Sequence, residues 1–492
     1  MRAVGPRVIL AGHNLDAQAL EARLAGQGEA EAGALSPETL SAAYARISRD
    51  PREVGELRAE ARREVQRARR SNQAIIFEMG HASVAEHAAF NLDVLGVSRL
   101  VVESLEHHRL ASYTEKSQRY IRLEGEYVCP PELMGSPLEP AFRARVEALG
   151  RLYQELASAL TARAAEEAGV AGERLAPRAL ASRANEDARY VLPLCAEAQL
   201  GLTMNARSLE LAIARLASHP LGEARALGQA LFEAIEPIAP SLVRYIRWTP
   251  YFRDTGPALE GLARGLIGRP ALPRAGHPPM VHLAGFTPEP DREVAAALLF
   301  THGQADLETC RAAARMADEP RLRGLFGEVF RRMQLWDSLP RAWEAVVFDF
   351  ELTLSAAAFG QLKRHRMASL WAQPYDPALG RTLPESLARA GLADAFRREL
   401  DAVDEFHARL LQDCPAAAAY ILTNAHRRRA RIRLNGRALG HFARLRCDAE
   451  AQWDIRGIAE RMVAEVRRVM PLAGAFYGGK DCVEALRAGC AP

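Results

Sequence analysis

The sequence has little of what usually announces a function. Its seven cysteines, at 129, 195, 310, 414, 447, 482 and 490, form no Cys-x-x-Cys pair, and their number is odd. That argues against a disulfide framework and a zinc ribbon, and it leads us to expect no metal site and a reducing, cytoplasmic setting. Aromatic residues are 7% of the chain, so platforms for stacking single-stranded bases are few. No apolar run approaches the roughly 18 residues of a membrane span. The opening MRAVGPRVILAGHNLD carries too short an apolar run for a signal peptide. Neither G-x-G-x-x-G nor G-x-x-x-x-G-K-[ST] occurs, so no Rossmann or P-loop nucleotide site is indicated. Lys and Arg number 64 against 61 Asp and Glu, a net charge of +3. Bulk charge gives no reason to expect a nucleic-acid or membrane partner.

Repetition is what the chain does have. At 492 residues it exceeds one ordinary core. VILAGHNLD at 8–16 returns as VHLAGFTPEPD at 281–291, and AAFNLDVLGVS at 88–98 as AVVFDFELTLS at 345–355. In the latter, Phe348, Phe350, Leu352 and Leu354 alternate with Asp349, Glu351 and Thr353, the period of a half-buried strand. RLVVESLEHHR is matched by AAAFGQLKRHR, and Asn205-Ala206-Arg207 by Asn435-Gly436-Arg437. Four segments in the same order give a fold expectation. It is α+β, two tandem copies of a small sheet packed by helices. The expected boundaries are 1–253, a Gly/Pro-rich linker at 254–279, and 280–492.

Several stretches can carry chemistry. On a helix, Gln361, Arg364 and His365 share one face, which suits a planar anionic ligand or a solvated basic helix end. Glu115, Ser117 and Arg119 lie in a stretch that can bind phosphate or be plain surface loop. GHASVAEH at 80–87 lacks the spacing of a helical zinc motif. AHRRRARIRLNGR at 425–437 is the strongest basic cluster, open to a nucleotide or flavin phosphate, to RNA, or to solvent.

Together these segments resemble the flavin-dependent thymidylate synthases. That family is marked by Arg-His-Arg, seven residues, then Ser. Here His107-His108-Arg109 precedes Ser117, and Arg364-His365-Arg366 runs into Pro374. GHASVAEH, ARYVLPL at 188–194 and NGRALGHFARLRCDAEAQWDIR at 435–456 resemble further family segments.

The resemblance implies residue roles. Gln361 and Arg364 would bind dUMP, as would Glu115, Ser117, Arg119 and Arg189 from a neighbouring subunit. Arg446 would meet the base and assist catalysis. FAD would be held by Arg364, His365, Arg366, Asn435, Arg437 and His441, with His81 and Ser83 from the other half. The losses are complementary: the first half has Ser104, His107 and Leu216 where the second has Gln361, Arg364 and Arg446, with Arg215 one place off. The second half has Pro374 and Ala419 where the first has Ser117 and Arg189. The implied protein is α+β, two tandem copies of the family-like fold, each a small antiparallel sheet packed by helices, forming a pseudo-dimer with one composite site, and two chains would form a homodimer that mimics the family homotetramer. The implied reaction is FAD-dependent methylation of dUMP to dTMP, with NADPH and methylenetetrahydrofolate as co-substrates. The rivals are methylation or hydroxymethylation of another pyrimidine nucleotide, and a non-catalytic nucleotide- or RNA-binding protein.

Overall fold

A computed structural model describes residues 2–26, 35–170, 176–268, 280–482 and 484. It divides into two compact units, one of residues 1–270 with 386–422, the other of 271–385 with 423–492. Both mix helices with a small antiparallel sheet.

In the first unit the four-stranded sheet is made of β1 (Arg7–His13), β2 (Ala89–Ser98), β3 (Ala111–Glu115) and β4 (Glu197–Asn205), in the order β1-β2-β4-β3. Along β2 the apolar Phe90, Leu92 and Val94 are buried while Asn91 and Asp93 are exposed, the alternation a pleated strand imposes. β2 leads straight into α1 (Arg99–Leu105), because Ser98 caps it: its Oγ accepts from the Val101 amide at 3.1 Å. Then come the long α2 (Glu139–Val170) and α3 (Pro177–Ala188). β4 leads into α4 (Ala206–Ala217), capped by Asn205 through the Ser208 amide at 2.8 Å. α5 (Gly222–Ile235) covers the sheet with Leu227, Leu231 and Ile235. α6 (Pro250–Ile267) occupies much of the stretch expected to be a linker, with Pro257 inside it. The rest of that stretch, 269–279, lies outside the described residues.

Segment 386–422 belongs to this unit although it lies far along the chain. The Leu194 amide donates to the Leu422 carbonyl at 2.7 Å and the Cys195 amide to the Tyr420 carbonyl at 2.9 Å. Helix Ala393–Asp413 of this segment sends Glu399 to Arg145 on α2 at 3.0 Å.

In the second unit the strands are β5 (Val281–Phe286), β6 (Val347–Ser355), β7 (Ser369–Ala372) and β8 (Arg427–Asn435), in the order β5-β6-β8-β7. Phe348, Phe350, Leu352 and Leu354 all face the core. β6 leads into α7 (Ala356–Leu362), capped by Ser355, and β8 into α8 (Gly436–Arg446), capped by Asn435. α9 (Trp453–Val469) follows, capped by Gln452. The two sheets share one strand order. They also share one irregularity: pairing slips between Leu10 and Gly12 on β1 and between Leu283 and Gly285 on β5, where the repeated Leu-Ala-Gly bulges.

Candidate active site

The C-terminal end of α8 meets the C-terminal end of α7. There Arg446 donates through Nε to His365 Nε2 at 3.0 Å, and through a terminal nitrogen to the Gln361 carbonyl at 3.2 Å. Its other terminal nitrogen lies 3.4 Å from Gln361 Oε1. His365 must therefore be neutral, since its Nε2 accepts. Burial pushes its pKa down to about 3, with help from Arg446 and His441. The ring also packs edge-on against Phe442 at 4.7 Å. Three of the expected site residues, Gln361, His365 and Arg446, are thus brought into one hydrogen-bonded group. Arg364 and Arg366 flank His365 on the turn after α7, half-buried and exposed respectively.

The first unit assembles a second group. Arg119 forms a two-point pair with Glu186, at 2.7 Å through Nε and 2.6 Å through a terminal nitrogen. Buried Arg189 donates to the Glu186 carbonyl at 3.2 Å, so both arginines converge on one residue. Burial lowers the Arg189 pKa from its ordinary value. Glu115, at the end of β3, pairs with Arg99 in a nearly buried contact. Ser117 Oγ accepts from the Arg119 amide at 3.2 Å and shapes the turn that carries the arginine. Glu106 and Glu103 also act on Arg99, so what the group offers a phosphate is guanidinium N–H donors rather than net charge, with Glu186 holding Arg119 in place beforehand. His81 and Ser83 lie exposed in the turn at 81–87, His81 Nε2 being 3.4 Å from Arg49.

The second half has no such loop. Beyond β7, Tyr375 is buried and stacks on Arg428 at 4.2 Å, with Phe359 on that arginine at 4.4 Å. The basic stretch at 425–437 is also partly spent internally: Arg431 forks onto Asp349, and Arg427 donates to Thr382.

The counterpart of the Arg446 group looks different in the first half. Leu216, eleven residues after Asn205 as Arg446 is after Asn435, is buried in the core, and the neighbouring Arg215 carries the guanidinium. Arg215 acts on His107 and His108, but its guanidinium lies 5.7 Å over the Phe252 ring of α6. Ser104 meets His219 Nε2 at 3.1 Å. Residues that persist in both halves have structural duties. Asn205 and Asn435 each cap a helix. Arg207 pairs with Glu86 at 2.5 Å, and Arg437 pairs with Glu344 at 3.1 Å and also donates to the Leu339 carbonyl. The cap uses one lone pair of the Asn435 oxygen, and its amide nitrogen stays a donor for a ligand.

Buried neutral rings give an expected pH dependence. His108 and His219 are pushed down to about 4 by burial and by Arg215 and Arg225 respectively. Unfolded imidazole titrates near about 6.5. Below that pH the unfolded chain takes up protons the folded chain refuses. The stability these rings and His365 contribute is therefore complete above about pH 6.5 and is lost progressively towards about pH 3 to 4. Buried Glu223 and half-buried Glu210 titrate high, chiefly through loss of solvent, and act oppositely. Comparison of urea midpoints for wild type and His365→Gln from pH 8 to 4.5 isolates one ring. The variant should lose less stability on acidification, and parallel curves would contradict this.

A flavin dinucleotide needs cations around its pyrophosphate. His441, partly exposed on α8, has its pKa lowered by partial burial and then by Arg444, Arg446 and Arg437, which marks a concentration of guanidinium charge along this helix. With Arg364 and Arg366 on the adjoining turn, these residues fit an anionic cofactor. Among the described residues no group of His, Cys, Asp and Glu could hold a metal, and no helix is long and apolar enough to cross a membrane.

Comparison with known proteins gives this geometry a context. The family model described as "Thymidylate synthase complementing protein" matches residues 33–241 and 282–472, most of the chain in two successive segments. The chain belongs to the flavin-dependent thymidylate synthase family. α6 lies between the two matched segments. A UPF0159 protein of Chlamydia pneumoniae is 26% identical over 441 residues, 84% of this chain and 81% of that protein. A flavin-dependent thymidylate synthase of Clostridium tetani is 32% identical over 174 residues, 35% of this chain and 68% of that enzyme. A UMP/dUMP methylase from Streptomyces cacaoi, solved with 5-Br dUMP, aligns with a TM-score of 0.33 at 18% identity, covering 43% of this chain and 97% of that one. Sequence reasoning missed Glu186 and Gln452. Glu186 sits three residues before Arg189, one helical turn, which was the available signal.

Proposed function

We propose that this family member reductively methylates dUMP to dTMP, using FAD, NADPH and methylenetetrahydrofolate. The observation that carries the reading is Arg446, held by His365 and Gln361 at the end of α8 within the family-like 435–456 segment. A donor fixed in advance stabilises charge that develops on a pyrimidine ring without reorganising during the reaction. Arg446 would steady the ring, and Gln361 and Arg364 would orient the nucleotide. Arg119, Ser117, Glu115 and Arg189 would hold the phosphate side. FAD, when bound by Arg364, His365, Arg366, Asn435, Arg437 and His441, with His81 and Ser83, would supply the hydride. Because each half lacks what the other keeps, the reading takes the base side from the second half and the phosphate side from the first. The working assembly on this reading is a homodimer of the fused chain.

The test is tritium release from dUMP labelled at carbon 5, run anaerobically with FAD, NADPH and methylenetetrahydrofolate. Release that requires every component, with dTMP as product, supports the reaction. No release from flavin-loaded protein would reject dUMP as the substrate.

A further inference from the structure

The two halves act as an internal control. Side chains that hold the fold recur in both. Ser98 Oγ donates to Glu223 at 2.7 Å and Ser355 Oγ to Asp454 at 2.5 Å, so each serine cap is tied to a buried carboxylate on the covering helix. The asparagine caps and the Glu86–Arg207 and Glu344–Arg437 pairs recur likewise. A residue retained in one half only has no such duty to the shared fold.

Gln361 is one of these, with Ser104 as its counterpart. Gln452 is another. α5 and α9 each begin just before the carboxylate that ties the serine cap, and the residue preceding the helix is Leu221 in α5 and Gln452 in α9. Leu221 makes no side-chain cap, so this helix can start without one. Gln452 is fully buried, and its Oε1 accepts from the Asp454 amide at 3.2 Å and the Ile455 amide at 3.3 Å. The same oxygen accepts from Gln361 Nε2 at 3.3 Å. Both amides stand together in one half and are missing together in the other.

This contact orients Gln361. Backbone amides only donate, so the Gln452 atom facing them is its oxygen. That oxygen can only accept, so Gln361 turns its nitrogen towards it. A guanidinium only donates, so Gln361 Oε1 faces Arg446. With its oxygen turned to Arg446, Gln361 offers a ligand an N–H.

We propose that Gln452 is a positioning residue that fixes Gln361 as a hydrogen-bond donor, and thereby selects pyrimidine nucleotides with an oxo group on the edge it meets over those with an amino group. The inference rests on the proposed nucleotide site. Uracil carries an oxygen at position 4 where cytosine carries an amino group. A donor facing a donor leaves both unpaired on desolvation, which is how polar sites reject near-isosteres.

Calorimetric titration of the flavin-loaded full chain with dUMP and with dCMP tests this without turnover. Wild type should bind dUMP in preference to dCMP. Gln452→Leu should weaken dUMP binding about tenfold and shrink the preference by a similar factor, the loss of one oriented hydrogen bond. Gln452→Glu keeps an oxygen acceptor for the same three N–H groups and should restore binding and preference towards wild type. Bound flavin and the thermal midpoint report whether each variant is folded. An unchanged preference in Gln452→Leu would overturn the inference. Equal loss of both nucleotides in both variants, tracking a lower midpoint, would make Gln452 a helix cap only and also overturn it. If wild type binds dCMP as well as dUMP, the selectivity claim falls while the nucleotide site stands. If it binds neither, the proposed function falls and takes this inference with it.

Discussion

Arg446→Ala is expected to lower the rate of dTMP formation by a factor on the order of 10² to 10³, the usual effect of removing a preorganised donor to developing charge. Arg215→Ala, one place from the counterpart position, is expected to leave the rate within about twofold, because that guanidinium lies over Phe252 and, among the described residues, shows no hydrogen bond to a glutamine or histidine. The contrast is the substance of the prediction. Arg446 is anchored at Nε by a neutral His365 and at its terminal nitrogens by Gln361, so its direction is set before substrate arrives. Single-turnover kinetics with saturating dUMP would separate the chemical step from binding. Comparable losses in both variants would remove the asymmetry between the halves.

Glu115→Ala is expected to have the largest effect on stability among the site residues. Its side chain is 6% exposed and that of its partner Arg99 is 11% exposed. Breaking a buried ion pair costs about 3 to 5 kcal/mol when the remaining charge has no other partner. Glu106 and Glu103 still act on Arg99, so the loss should fall at or below the lower end of that range. Ser117→Ala, in the same loop, removes only the acceptor for the Arg119 amide and should leave the melting temperature almost unchanged while weakening nucleotide binding. Thermal denaturation of both variants reads the difference. If Glu115→Ala melts like wild type, the residue serves ligand alone and the pair with Arg99 is incidental.

Where a variant is designed by cutting the chain, the fold imposes a condition. Residues 1–253 alone would lack segment 386–422, whose Leu422 and Tyr420 carbonyls accept from Leu194 and Cys195. The Ala-Arg-x-Val-Leu-Pro-Leu segment that carries Arg189 would lose those bonds. Point substitutions in the full chain are therefore the cleaner tests.

Much of this was legible in the amino-acid order because it depends on local periodicity and on matching segments. The alternation Phe348-Asp349-Phe350-Glu351-Leu352 states a half-buried strand, and the strand is there with its apolar members in the core. The repeated Leu-Ala-Gly marked two equivalent strands, and both bulge at the same place. The motif segments led to the family. The persistence of Asn205, Arg207 and His108 in the first half could not be understood from sequence, because a helix cap, an ion pair and a buried ring look the same as a ligand-binding residue in a string of letters.

The sequence by itself determined the repeated segments, their strands, the family and the complementary loss of motif residues, since each follows from matching segments and spacing along the chain; the antiparallel sheets came only as what the family resemblance implies. Only the tertiary structure decided that 386–422 packs with the first unit, that Arg215 acts on His107 and His108 while Leu216 is buried, and that Gln452 bonds Gln361. The reason is distance along the chain. Gln452 lies 91 residues from the amide it orients, and Tyr420 lies far from the Cys195 amide it meets. Such contacts arise from how helix ends converge in space, and no local period or motif spacing encodes that convergence.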